Sequence, residues 1–144
     1  MAQLKDVLYT AEATATGGRK GHARTSDGRL DLQLSRPKEF KGEGGPGTNP
    51  EQLFAVGYAA CFQSALESVA RAKEIDVTGN EVTSHVSIGP IEGGGYGIAA
   101  ELIVSLPSLD QEAAEQLVEQ AHKRCPYSRA TRGNIEVDIT VKSG

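Results

Sequence analysis

A long uncharged segment in the middle of the chain constrains the fold more than any other feature. Asn49 is a good helix N-cap, Pro50 suits the first helical turn, and Gln52 follows Asn49 by three residues, as in a capping box. The fifteen residues 52–66 carry no charge. This pattern predicts a central helix from residue 50 to about residue 73, with a first half that is buried on every side, because an amphipathic surface helix would show a polar face.

Cys61, one of only two cysteines in the chain, lies inside this segment. A free buried cysteine is often an inert apolar side chain. A reactive cysteine must be ionised, and the middle of a helix gains little from the helix dipole, so a side-chain cation would have to come from elsewhere. The segment by itself leaves the inert thiol and the reactive thiol equally open.

Length and charge limit the class of protein. The 144 residues suit a single domain, 1–144, and the net charge of −4 disfavours a nucleic-acid or anionic-membrane partner. No signal peptide is recognisable, and no uninterrupted apolar run reaches the length of a membrane span. We therefore expect a cytoplasmic protein, where cysteines are more often catalytic, redox-active or metal-binding than permanently paired. Two cysteines and three scattered histidines predict no metal site.

Apolar periodicity predicts the remaining elements. A second helix would begin after Ser108, with Gln111 completing a capping box, and would end near Arg124, because the residue before Pro126 is pushed out of the helical region. A turn is expected at 129–134. Strands are expected at residues 7–16, 22–25, 30–34, 82–88, 96–106 and 135–141. The order β-β-β-α-β-β-α-β predicts an α+β fold with largely antiparallel sheets.

Three side chains outside the uncharged segment are candidates for thiol chemistry. Cys125 precedes a proline, which places it at a helix terminus in non-helical backbone. Arg19 lies on a glycine-rich turn, where it is either a solvated cation or the cation that a thiolate needs. Glu51 in the first turn of the central helix either holds an arginine through a bidentate pair or merely offsets the helix dipole.

Five short segments carry a resemblance to a known family: residues 48–54 (TNPEQLF), 59–62 (AACF), 125–128 (CPYS), 17–19 (GGR) and 133–134 (GN). They are similar to those of the organic hydroperoxide resistance proteins, which belong to the OsmC-like superfamily of thiol peroxidases. The tyrosine after Cys125-Pro126 favours this branch over its osmotically induced sister. The resemblance covers essentially the whole chain in length and element order.

The resemblance implies a role for four residues. Cys61 would be the peroxidatic thiolate that attacks the peroxide and releases an alcohol. Cys125 would be the resolving thiol, which condenses with the Cys61 sulfenic acid to a redox-active Cys61–Cys125 disulfide. Arg19 would hold Cys61 as thiolate and polarise the peroxide, and Glu51 would orient Arg19.

The resemblance also implies an OsmC-like α+β fold, with antiparallel sheets packed around a long buried central helix, in an intertwined homodimer. No cofactor would be bound, and dihydrolipoyl groups on lipoylated partner proteins would supply the electrons. The substrates would be alkyl and fatty-acid hydroperoxides, detoxified in the response to oxidative stress. Apolar residues around Cys61 suit such a substrate, and the candidate pocket residues are Tyr58, Phe62, Phe40 and Tyr127.

Helix geometry adds a reason to expect two subunits. Glu51 and Cys61 are ten residues apart, which is about 15 Å of helical rise, and their side chains leave the helix on different faces. One straight helix cannot bring both to a single guanidinium. A cluster of Arg19, Glu51 and Cys61 therefore predicts that Glu51 comes from a second copy of the chain.

Other functions stay open from the sequence. The sister branch would share the chemistry but accept a broader range of peroxides. A redox-sensing or small-molecule-binding module would use the disulfide as a signal and not as a turnover intermediate. An inert protein with buried thiols would tolerate Cys61→Ser without loss.

Overall fold

Two three-stranded sheets, one long helix and two shorter helices make up the structure, a computed structural model that describes all of residues 1–144. The chain divides into two compact units, Met1–Pro50 and Glu51–Gly144.

The first unit contains one antiparallel sheet in the order β1-β2-β3. Its strands are β1 (Ala13–Thr16), β2 (His22–Thr25) and β3 (Asp31–Gln33), and two single 3₁₀ turns cover Gly18–Lys20 and Lys38–Phe40. The predicted strand 7–16 is wrong before residue 13, because no strand of this chain pairs with that part. Its apolar side chains, including Leu8 and Tyr9, lie exposed.

The second unit holds the second sheet and the helices. Its elements are α1 (Pro50–Ala72), β4 (Glu81–Pro90), β5 (Tyr96–Leu106), α2 (Gln111–Arg124), α3 (Pro126–Thr131) and β6 (Val137–Ser143). The sheet order is β4-β5-β6, with β4 antiparallel and β6 parallel to β5. The expectation of antiparallel pairing is wrong for β6. Helices α2 and α3 form the long crossover that a parallel pair requires.

Two local predictions around the later helices are also corrected. Asp110, and not Ser108, caps α2, because the Asp110 carboxylate accepts the Ala113 N–H at 2.8 Å. The Ser108 hydroxyl instead donates to the carbonyl of Asp76 at 2.7 Å. The predicted turn at 129–134 overlaps α3, a short helix that begins at Pro126, a residue well suited to a first helical position.

Helix α1 supplies the centre of the core of the second unit but is not buried on every side. Its buried residues are Tyr58, Phe62, Ala65, Leu66, Val69 and Ala70. On another face Val56 is 69% exposed, with Leu53 and Ala60 exposed beside it. The predicted all-round burial is therefore wrong for a single chain, and an apolar face of α1 stays open.

By length and composition α1 is able to cross a membrane, contrary to the expectation drawn from uninterrupted apolar runs. The core helix of a water-soluble protein passes the same test. Since six residues of α1 pack into the core of the second unit, we treat it as a core helix.

Candidate active site

The two cysteines of the chain meet in the second unit. The Sγ atoms of Cys61, in the middle of α1, and Cys125, between α2 and α3, lie 3.6 Å apart as free thiols. A disulfide has an S–S distance of about 2.05 Å, so the sulfurs need to approach by only about 1.5 Å to bond. The structure thus brings together the two thiols that the sequence singled out.

Pro126 explains where Cys125 sits. The backbone of Cys125 is extended (φ −63°, ψ 124°), which ends α2 and begins α3 at the same residue. The Cys125 N–H closes the last turn of α2 by donating to the Ala121 carbonyl at 2.8 Å. Its sulfur accepts the N–H of Ser128 at 3.4 Å, as an N-cap side chain would. Cys125 has no exposed surface.

Cys61 is half-buried, and its surroundings oppose ionisation. Burial raises the pKa of the Cys61 thiol, the backbone N–H of Tyr127 lowers it by donating to the sulfur, and the neighbouring Cys125 raises it again. The net result is a pKa above the ordinary value. A thiolate at neutral pH therefore requires a cation in addition to these groups.

Arg19 lies in the first unit, in the 3₁₀ turn Gly18–Lys20 that follows Gly17, and both glycines have positive φ. Its guanidinium stacks over the Phe40 ring at 5.0 Å from the centroid, and Arg36 stacks over the same ring at 5.1 Å. Arg19 is therefore held by an aromatic side chain and is more than a solvated turn cation.

Glu51 occupies the first turn of α1, as predicted from the capping pattern. It belongs to the second unit and Arg19 to the first. Their pairing and the roles that the resemblance implies for them stay predictions.

The four aromatic residues expected in a substrate pocket have different environments. Tyr58 and Phe62 are fully buried in the core, so neither side chain has a surface with which to line an open pocket. Tyr127 is 40% exposed and packs against Phe54 and Tyr58, with ring centroids 6.0 and 5.9 Å away. Phe40 belongs to the first unit, beneath the two guanidinium groups.

Gly57 is a site residue that the sequence analysis missed. A Cβ atom at this position would lie 2.9 Å from the Tyr127 hydroxyl and 3.1 Å from its Cε2. The glycine therefore makes room for the ring of Tyr127, the residue whose N–H reaches Cys61. The sequence did offer a signal, because Gly57 lies inside the predicted helix. A glycine there lowers helix stability by about 1 kcal/mol relative to alanine, which suggests that a neighbouring group needs the space.

A buried hydrogen-bond network adjoins the thiols. The Ser128 hydroxyl lies 2.8 Å from the Tyr58 hydroxyl and 2.9 Å from His122 Nδ1, and Thr131 Oγ1 lies 3.1 Å from the Tyr58 hydroxyl. A histidine in the last turn of a helix favours the helix dipole when it is protonated. Burial and the nearby Arg132 lower the pKa of His122, so His122 is neutral at pH 7 and does not act as such a cation.

Ser128 ends the segment 125–128 that carried the resemblance, but no role was expected of it, and nothing in the sequence marked Thr131 as a site residue. No group of three or more His, Cys, Asp or Glu side chains lies close enough together to hold a metal ion.

Comparisons with known proteins identify the family. The family model for OsmC-like proteins matches residues 42–140. The organic hydroperoxide resistance protein of Xanthomonas axonopodis pv. citri is 53% identical over 142 residues, which are 98% of this chain and 99% of that protein.

Solved structures agree with this match. An organic hydroperoxide resistance protein from Elizabethkingia anophelis, with crystallant-derived thiocyanate bound, superimposes with a TM-score of 0.92 at 48% identity, covering 98% of this chain and 100% of that one. The organic hydroperoxide resistance protein OhrB of Bacillus subtilis gives a TM-score of 0.88 at 47% identity, covering 94% of this chain and 100% of that one. The predicted α+β, OsmC-like fold is confirmed. This chain belongs to the organic hydroperoxide resistance proteins of the OsmC-like family.

Proposed function

We propose that this protein is a cysteine-dependent peroxidase that reduces organic hydroperoxides to alcohols and so detoxifies them. The observation that carries the proposal is the 3.6 Å separation of Cys61 and Cys125 Sγ in a chain of this family. A half-buried thiol beside a fully buried one suits a pair in which the first meets the substrate and the second resolves the product.

The chemistry balances with these two thiols and one substrate. The Cys61 thiolate attacks the outer peroxide oxygen, the O–O bond breaks, and the alkoxide leaves as the alcohol after taking up a proton. Cys61 is now a sulfenic acid. The Cys125 thiol attacks its sulfur, the S–O bond breaks, and the hydroxyl leaves with the thiol proton as water, which forms the Cys61–Cys125 disulfide.

Arg19 and Glu51 complete the proposed site. Because burial raises the pKa of the Cys61 thiol, a guanidinium must favour the thiolate in the resting enzyme. Arg19 takes that role and then polarises the peroxide, while Glu51 orients Arg19.

The apolar surface beside Cys61 supports the proposed substrate class. The half-exposed Tyr127 ring packs on Phe54, and the backbone N–H of the same tyrosine donates to the Cys61 sulfur. An apolar surface of this kind favours the binding of a hydroperoxide that carries an alkyl or aryl group over the binding of hydrogen peroxide.

A small dithiol is the fitting reductant. Cys125 is fully buried and Cys61 is partly exposed, so an incoming thiol would reach the disulfide at the Cys61 sulfur and release Cys125 as the leaving group. Dihydrolipoyl groups on lipoylated proteins of the cytoplasm would fill this role, with no cofactor bound to the enzyme.

A homodimer is part of the proposal. The open face of α1, with Val56 at its centre, and the exposed apolar residues at the N-terminus, including Leu8, would be covered by a second copy of the chain. The distance along α1 between Glu51 and Cys61 also favours a dimer. One helix cannot bring both residues to the same guanidinium, so α1 of a second copy is needed to complete the site.

Steady-state turnover with dihydrolipoamide tests the function. We expect kcat/KM for cumene hydroperoxide to exceed that for hydrogen peroxide by about tenfold or more, because a small apolar contact with the substrate raises kcat/KM by about that factor. Cys61→Ser should be inactive. A single stoichiometric oxidation without turnover would instead indicate a redox sensor, and full activity of Cys61→Ser would exclude the proposed nucleophile.

A further inference from the structure

Ser128 is the centre of a buried polar network in which each hydroxyl has a partner. Its Oγ lies 2.8 Å from the Tyr58 hydroxyl and 2.9 Å from His122 Nδ1. Thr131 Oγ1 lies 3.1 Å from the Tyr58 hydroxyl and donates to the Ser128 carbonyl at 3.2 Å. Ser128 and Tyr58 have no exposed surface, so water cannot replace these bonds when one is lost.

The network joins the three helices that surround the thiols. Tyr58 comes from α1, three residues before Cys61, and His122 comes from α2, three residues before Cys125. Ser128 comes from α3, three residues after Cys125. A bond to Ser128 from each of the other two helices therefore fixes α3 against both at the level of the sulfurs.

The backbone of the same segment supplies a donor to each sulfur. The Ser128 N–H donates to Cys125 Sγ at 3.4 Å, and the Tyr127 N–H donates to the Cys61 sulfur. Pro126 has no N–H, so these two amides are the first that the segment offers. A displacement of Ser128 would disturb the donors of both thiols at once.

The geometry points to Ser128 as a positioning residue for the resolving thiol, an inference that rests on the proposed function. Held by Tyr58 and His122, Ser128 keeps Cys125 within the short movement that a disulfide needs. The Cys61 sulfenic acid then condenses with Cys125 faster than a second hydroperoxide attacks it. In that competing step the second hydroperoxide transfers an oxygen to the sulfenic sulfur, which leaves a sulfinic acid and another alcohol.

Ser128→Ala tests the inference because it removes both hydroxyl contacts and keeps the backbone N–H. Each protein is cycled with cumene hydroperoxide and dihydrolipoamide, and intact mass distinguishes the protein that lost two hydrogens from the protein that gained two oxygens. Since small misplacements of reacting groups cost up to about 100-fold in rate, we expect about tenfold more over-oxidation per turnover in Ser128→Ala.

Three further variants make the comparison specific. Tyr58→Phe removes one partner of Ser128 and should shift the same ratio in the same direction. Ser128→Thr retains a hydroxyl and should restore most of the wild-type ratio. Ser108→Ala removes a 2.7 Å hydrogen bond elsewhere in the second unit and should leave the ratio unchanged.

A second measurement does not use peroxide. The equilibrium between thiols and disulfide in a dithiothreitol redox buffer reports how well Cys61 and Cys125 are placed for each other. We expect the equilibrium constant for disulfide formation to fall about tenfold in Ser128→Ala. The reason is that the two sulfurs would be misplaced to the same extent as in the kinetic test.

Wild-type values of both quantities in Ser128→Ala would overturn the inference, whether or not its melting temperature falls. If Ser128→Ala does not fold, Tyr58→Phe decides by the same criteria. If the wild-type protein releases no alcohol, the proposed function fails, and the dithiothreitol equilibrium still decides the role of Ser128.

Discussion

Cys61 and Cys125 bring their sulfur atoms to 3.6 Å across 64 residues of sequence. One thiol is carried by the middle of a long core helix and the other by the junction that Pro126 forces between two helices. Cys61 lies in the middle of α1, away from the helix N-terminus, so its ionisation depends on groups brought to it from other elements.

Arg19→Ala should raise the pH at which Cys61 ionises. An opposite charge favours the thiolate, and burial then acts without opposition from a cation. In a Cys125→Ser background, where only Cys61 can react, the rate of alkylation by iodoacetamide against pH gives the midpoint. We expect the midpoint to lie at a higher pH in Arg19→Ala than in the parent protein that keeps Arg19.

The control for this experiment is Arg29→Ala, which removes an exposed arginine from the hairpin turn beside Asp27. Its midpoint should equal that of the parent protein. An unchanged midpoint in Arg19→Ala would remove Arg19 from the proposed site.

Gly57→Ala should lower peroxidase activity even though alanine favours a helix by about 1 kcal/mol. The new methyl group would meet the Tyr127 ring and displace the segment whose N–H donates to Cys61. We expect kcat/KM for cumene hydroperoxide to fall about tenfold.

Gly89→Ala is the matched control for Gly57→Ala, because a Cβ at Gly89 has open space around it. Its activity should be that of the wild type. A Gly57→Ala protein that is both more stable and fully active would show that the position of Tyr127 has no effect on the chemistry.

His122 should make the protein less stable in acid. Its pKa is lowered in the folded state by burial and by Arg132, so the unfolded chain takes up the proton first. The contribution of His122 to the free energy of unfolding is complete above about pH 6.5 and is lost as the pH falls through the folded pKa.

Urea unfolding of wild type and His122→Gln, at several pH values between about 7 and 5, measures this effect. The variant should lose less stability over that range than the wild type. Equal losses in the two proteins would show that His122 is not neutral in the native state.

Val56→Glu should separate the subunits without unfolding them. Val56 is exposed on the open face of α1. A charge at this position should therefore destabilise only the interface that buries it and not the core of the chain. Light scattering should show a monomer for Val56→Glu and a dimer for the wild type, and peroxidase activity should be lost with the dimer.

Gln120→Glu adds the same charge on the exposed side of α2 and serves as the control. It should stay dimeric and active. A fully active Val56→Glu monomer would contradict the shared site.

The elements that local chemistry dictates were predictable from the sequence. The capping residues before Pro50 and the uncharged run placed α1 within about a residue of its observed end, and alternation placed β5 at its observed bounds. Pro126 fixed the end of α2 and the extended backbone of Cys125. The residue patterns singled out the two thiols and Arg19 but left inert alternatives open, and only the resemblance implied their roles.

The features that the sequence did not reveal depend on tertiary structure. The parallel pairing of β6 follows from the crossover through α3, a helix too short to show a periodic pattern. Ser128 looks like an ordinary turn residue until Tyr58 and His122 are brought to it from two other helices. The open face of α1 was not predictable either. The sequence pattern of an apolar residue is the same whether its own chain or a second copy of the chain buries it.

Intact mass after one equivalent of cumene hydroperoxide, without reductant, tests the central claim most directly. The wild-type protein should lose two hydrogens as an intrachain disulfide, Cys125→Ser should gain one oxygen on Cys61, and Cys61→Ser should stay unmodified. A wild-type protein that keeps both thiols, or a Cys61→Ser protein that gains the oxygen, would contradict a peroxidatic Cys61 resolved by Cys125.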